Sequence, residues 1–108
     1  MSDAGGSMPT LTVIYWRDIP AQVIVRNGRS ARRQLADRFQ EAIDQAAMDT
    51  GAEGREDYLE DWRQHREEVA DGTARAVADE TAARLETDYD PARLAALVGN
   101  GGWEDDGQ

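Results

Sequence analysis

The chain has 108 residues, no cysteine and a formal net charge of −10, from 22 acidic and 12 basic side chains. That length suits one domain with a modest core, and the missing thiols exclude disulfides and thiolate metal sites. No apolar run approaches the roughly 20 residues that span a bilayer, and Met1–Pro9 lacks the form of a signal peptide, so a cytoplasmic location without membrane association is expected.

Charge is unevenly placed along the chain. Residues 11–38 carry +4 and residues 39–108 carry −13, so a basic module precedes an acidic one. Every basic side chain other than His65 is arginine. Its planar fork suits carboxylates and its flat face suits aromatic rings.

Residues 1–9, with Gly5-Gly6-Ser7, read as a disordered leader. Leu11, Val13 and Tyr15 then alternate with Thr12, Ile14 and Trp16, the period of a strand. A turn at Arg17-Asp18-Ile19-Pro20 leads into Val23-Ile24-Val25-Arg26, giving a β-hairpin over 11–26 with bulky residues on both faces. Asn27-Gly28 breaks the second strand.

From Ser30, a natural N-cap, the spacing of Ala31, Leu35, Phe39, Ala42, Ile43 and Ala46 predicts a helix over about 30–49, closed by Thr50-Gly51. A second helix is expected over about 56–67, anchored by Tyr58, Leu59 and Trp62. Thr73 caps a third over 73–88 with Ala74, Val77, Ala78, Thr81 and Leu85 on its apolar face. Asp90-Pro91 opens a fourth over 91–98. Residues 100–108 read as a flexible acidic tail carrying Trp103, whose deletion should change stability by no more than about 1 kcal/mol. The expected fold class is therefore α+β, a two-stranded antiparallel ribbon packed on three or four helices in one domain over residues 10–99.

Candidate chemistry is sparse. The connector Asp49–Glu60 has partial calcium-loop spacing, with acids at places one, five, nine and twelve and glycine at place six. Gly51 at place three supplies no ligand and Glu56 stands where an apolar residue belongs, so an ordinary connector is the better reading and no metal is expected. Read as a helix-turn-helix, the same connector would press Glu56, Asp57, Glu60 and Asp61 against phosphates, which excludes it. His65 lies between Gln64 and Arg66 on a charged segment, and Ser30 is explained as a cap. No catalytic residue and no cofactor is assigned, and a non-enzymatic protein is expected.

Binding is the stronger reading. A stiff turn displaying Trp16 and Arg17, side chains common at interface hot spots, makes Tyr15, Trp16, Arg17, Asp18 and Pro20 candidate partner-binding residues, with Arg26, Arg29, Arg32 and Arg33 beside them. The plainer reading makes Trp16 core and Pro20 a turn former. A larger protein partner is expected. The alternative is a small nucleic-acid-binding module that uses the arginines of 26–33, with Tyr15 and Trp16 as stacking platforms.

The runs Val-Ile-Tyr-Trp-Arg-Asp-Ile-Pro-Ala-Gln-Val at 13–23, Arg32-Arg33-Gln34-Leu35, and Phe39 to Met48 resemble a family of small bacterial "virulence factor" domain proteins over about residues 10–98. Related domains occur in the longer conserved virulence factor C, beside a NifU-type scaffold domain and HEAT repeats. The resemblance carries no established activity, cofactor or catalytic residue onto these positions. Stand-alone α-proteobacterial forms accompany folate- and corrinoid-dependent methyl-transfer genes. That implies an accessory role in one-carbon metabolism, or a small non-catalytic subunit of a methyl-transfer or reductase complex.

Overall fold

A computed structural model describes residues 8–52 and 56–104. In place of a two-stranded ribbon, it contains one four-stranded sheet of order β3-β2-β1-β4, with every neighbouring pair antiparallel. The strands are β1 (Thr10–Trp16), β2 (Ile19–Asn27), β3 (Arg29–Gln34) and β4 (Trp62–Glu68). The helices are α1 (Asp37–Asp49), α2 (Glu56–Glu60), α3 (Ala74–Asp88) and α4 (Pro91–Gly99). Among the described residues, no helix is long and apolar enough to cross a membrane.

The central hairpin follows the alternation in its sequence. Leu11 and Val13 pair with Val25 and Val23 and are buried with them against the helices. Thr12, Ile14 and Ile24 point the other way and stay half-buried. A register shift leaves Ala21 without a partner between Gln22, opposite Ile14, and Pro20, opposite Tyr15. The irregularity suits proline, which has no N–H to give to a ladder. Its carbonyl at Ala21 instead accepts from the Leu35 N–H at 3.1 Å, tying the end of β3 to the bulge.

Two expected helices are corrected. Over 30–49, only Asp37–Asp49 is helical, because Gly28, at φ +77°, turns residues 29–34 back along β2 as a third strand. Ser30 is therefore an exposed strand residue and caps nothing. α1 starts at Ala36 without a cap of its own. The Glu86 carboxylate, from α3, accepts the Ala36 N–H at 2.9 Å instead. Over 56–67 the helix stops at Glu60, and residues 62–68 pair along the whole of β1, from Trp16 opposite Trp62 to Thr10 opposite Glu68. That strand satisfies backbone groups of β1 that a bare ribbon would leave open. Its own edge carries charges on both faces, which discourages pairing with other chains.

α3 opens on Thr73, whose hydroxyl accepts from the Ala76 N–H, and α4 opens on Asp90, whose carboxylate accepts from the Arg93 N–H. Arg38 donates from Nη2 to the Glu86 and Tyr89 carbonyls, a cation at the C-terminal end of α3 where the helix dipole favours it. α3 lies across β2 and β3, while α1 packs on β2 and α4. The core between these layers holds Phe39, Ile43, Val77, Leu85, Leu94 and Leu97 with the buried strand residues.

Neither end reads quite as expected. Pro9, assigned to the leader, is fully buried and accepts the Val69 N–H at 2.9 Å; residues 1–7 lie outside the described residues. Residues 100–104 are not a free tail but a turn locked to the α4 terminus, with the Gly102 N–H donating to the Leu97 carbonyl at 2.7 Å. Residues 105–108, and residues 53–55 of the calcium-like connector, lie outside the described residues.

Candidate functional site

The hairpin tip does not display its tryptophan. Trp16 is 0% exposed and Pro20 is fully buried. By alternation Trp16 belongs to the face of Thr12 and Ile14, but α2 and the 101–103 turn close over it. Its ring lies 5.7 Å from Tyr58, its Nε1 donates to the Tyr58 carbonyl at 2.9 Å, and Gly102 passes so close that a Cβ there would sit 3.0 Å from the ring. Trp16 and Pro20 are core residues, which corrects their place in the expected partner-binding set.

Arg17 is also buried, at 9% exposure, and nearly every polar group it owns is engaged. Its N–H donates to the Asp61 carbonyl, its Nε to the Asp61 carboxylate at 2.8 Å and its Nη1 to the Gly101 carbonyl at 2.6 Å. Its own carbonyl accepts from Arg63 Nε at 3.0 Å, and its guanidinium stacks on Trp16 at 4.4 Å and Trp103 at 5.4 Å. Such density of contacts holds a non-glycine residue at φ +55°.

Tyr15 and Asp18 fall in a second cluster. Together with Arg63, His65, Tyr89 and Glu104 they line a depression of about 360 Å³. Arg63 stacks on Tyr15 at 4.6 Å and pairs with Asp18 at 2.9 Å, while Arg93 stacks on Tyr89 at 4.0 Å and pairs with Glu104 at 3.1 Å. Burial raises the pKa of both phenols above the ordinary tyrosine value of 10.0; Arg63 opposes the rise at Tyr15 and Arg93 at Tyr89. The unfolded chain thus releases these protons first. The two phenols leave stability unchanged below about pH 10 and lower it as pH rises beyond that through their folded pKa values. Urea midpoints measured across that range should decline, and Tyr15→Phe with Tyr89→Phe should flatten the decline.

The surface arginines divide differently. Arg33 is held by Asp79 on α3. Arg26, Arg29 and Arg32 are exposed, with no ion pair among the described residues. Register places Arg66, Thr12, Ile24 and Arg32 on one rung across all four strands, with Glu68, Thr10, Arg26 and Ser30 on the next. The rung on the other side is Gln64, Ile14, Gln22 and Gln34. α1 and α3 pack on the opposite side of the sheet, so this face is open, and part of it forms a shallow concavity of about 430 Å³.

Residues 14–98 match the sequence model of the family described as "Virulence factor". The chain belongs to the virulence factor family. The matched span runs from Ile14 in β1 to Val98 in α4, so the virulence factor domain includes most of the sheet and the helices packed on it. No curated protein and no solved structure matches the chain.

Sequence reasoning missed Arg66 and Gln64 on the open face. Both lie on β4, a strand read as helix. Residues 63–68 are polar at every position, so no alternation marks them as a strand. His65 is exposed and lies near the Glu67 carboxylate at 3.7 Å, and among the described residues no cluster suited to a metal ion occurs.

Proposed function

We propose that this virulence factor protein is a non-enzymatic accessory protein that docks on an acidic surface of a larger protein through the open face of its sheet. The observation that carries the reading is the rung geometry. Ile14 and Ile24, with Thr10 and Thr12, form a small centre, and Arg26, Arg32 and Arg66 stand around it without ion-pair partners among the described residues, in a chain of net charge −10. In an acid-rich molecule, arginines left unpaired on one face favour a partner that supplies the carboxylates. Most of this face comes from the hairpin strands, so the hairpin remains the binding element, but by its flat side rather than its tip. A nucleic-acid reading loses its stacking platforms, because Trp16 is buried and Tyr15 is on the other face. Enzymes of folate- and corrinoid-dependent methyl transfer are the first partners to test.

A photo-crosslinking residue at Thr12 or Gln64 should capture a defined partner protein through an acidic segment, and one at the exposed Gln45 of α1 should not. Arg26→Glu with Arg32→Glu and Arg66→Glu should weaken that complex by about tenfold or more, since both approach and retention depend on the charges. Equal capture from Gln45, or a complex that charge reversal leaves intact, would overturn the reading. A nuclease-sensitive complex would replace it with the nucleic-acid alternative.

A further inference from the structure

A further concavity adjoins the open sheet face, sharing Ser30 and Arg32 with it. It is a groove of about 850 Å³ between the β2–β3 turn and the start of α3, within the size range of small-molecule sites. Arg29 and Arg33 reach it from the helix-facing side of β3, Arg32 from the other face of that strand, and Arg75 from α3; Ala31 and Ala74 supply an apolar floor, with Asn27 and Ser30 at the turn. No acidic side chain is in the lining. Asp79 engages Arg33, but Arg29 and Arg75 have no ion pair among the described residues. The Thr73 hydroxyl accepts the Ala76 N–H and keeps its own O–H to donate, so it and the Ser30 hydroxyl can serve an anion beside the guanidiniums. Asn27 donates from Nδ2 to the Gly72 carbonyl at 2.9 Å, which ties the two walls of the groove together.

We infer that this groove binds a small molecule through a phosphate group. Three guanidiniums without an ion pair among the described residues, those of Arg29, Arg32 and Arg75, and a fourth shared with Asp79 can neutralise a phosphomonoester, about −2 at neutral pH. Arginine forks also fit phosphate oxygens in pairs. The volume exceeds what a lone phosphate fills, and the alanine floor leaves room for the body of the ligand.

Inorganic pyrophosphate, titrated into the full chain against chloride of matched ionic strength and followed by backbone amide shifts, tests the site. Saturable shifts should be confined to residues 27–33 and 73–76. Arg29→Gln with Arg75→Gln should weaken binding by about tenfold or more, the usual effect of losing charge-assisted contacts. Arg84→Gln, farther along α3, should leave it unchanged. The sheet-face variant Arg26→Glu with Arg66→Glu, which leaves Arg32 of the groove in place, should keep most of the pyrophosphate affinity, which separates failure here from failure of the docking reading. Absence of saturable binding, shifts spread over all exposed arginines, or a double variant that binds like the parent would overturn the inference.

Discussion

Replacing Arg17 with alanine should lower the unfolding free energy by about 3–5 kcal/mol, the range for breaking a buried ion pair by removing one partner. The Asp61 carboxylate, with 26% of its side chain exposed, would lose its guanidinium, and the Gly101 carbonyl would lose its donor. The guanidinium contacts with the Trp16 and Trp103 rings would also be lost. Urea unfolding followed by tryptophan fluorescence measures the change. Arg17→Lys should recover only part of it, because a point charge on a flexible stem cannot reach Asp61 and Gly101 while lying flat on a ring. Arg17→Gly isolates the backbone contribution, since glycine relieves φ +55° but replaces no contact. If Arg17→Ala unfolds within about 1 kcal/mol of the parent, the normal range for unpacked surface sites, this network does not hold the hairpin tip.

A chain ending at Asn100 should lose about 2–4 kcal/mol relative to one ending at Glu104, because buried groups left unsatisfied cost about 1–3 kcal/mol each. The truncation removes the Gly102 carbonyl that accepts the Asp18 N–H at 2.8 Å and the Gly101 carbonyl that accepts Arg17 Nη1. It also uncovers one side of Trp16 and releases Arg93 from Glu104. This reverses the expectation that residues 100–108 contribute at most about 1 kcal/mol. Gly102→Ala tests the same packing with a single methyl group. Gly102 has φ +95°, and an added Cβ would lie 3.0 Å from the Trp16 ring and 3.1 Å from Arg17 Cδ. A loss of about 1–3 kcal/mol is expected from the backbone conformation alone. Thermal melts of the two truncated chains and of the glycine variant should rank together; equal stability of the two truncated chains would show that the turn only rests on the surface.

Both results concern residues whose importance was half-visible. The stretch from Tyr15 to Pro20 stood out in the sequence for its aromatics and arginine, and its residues are indeed at the centre of the molecule's contacts. Their direction was not readable. An exposed hot spot and a buried, multiply bonded arginine have the same local sequence. The difference lies in Tyr58, Asp61, Gly101 and Gly102, which arrive from more than 30 residues away. Trp103 shows the same limit in reverse: it reads as a mobile tail residue but is 48% exposed over Arg17.

What the sequence determined by itself is local. Alternating β-branched residues specify β1 and β2, the Phe39–Ala47 stripe specifies α1 from Asp37 onward, and Thr73 and Asp90 with Pro91 set the starts of α3 and α4, because each signal acts within a turn or two of chain. Only the tertiary structure decided that residues 29–34 and 62–68 are strands. Neither segment has the propensity to be one, and Arg29-Ser-Ala-Arg-Arg-Gln34 and Trp62-Arg-Gln-His-Arg-Glu-Glu68 contain no valine, isoleucine or threonine. They extend because β1 and β2 offer open rows of N–H and C=O groups that must find partners, and a ladder satisfies them at long range. The open arginine-rimmed face exists only because those two polar edge strands joined the sheet.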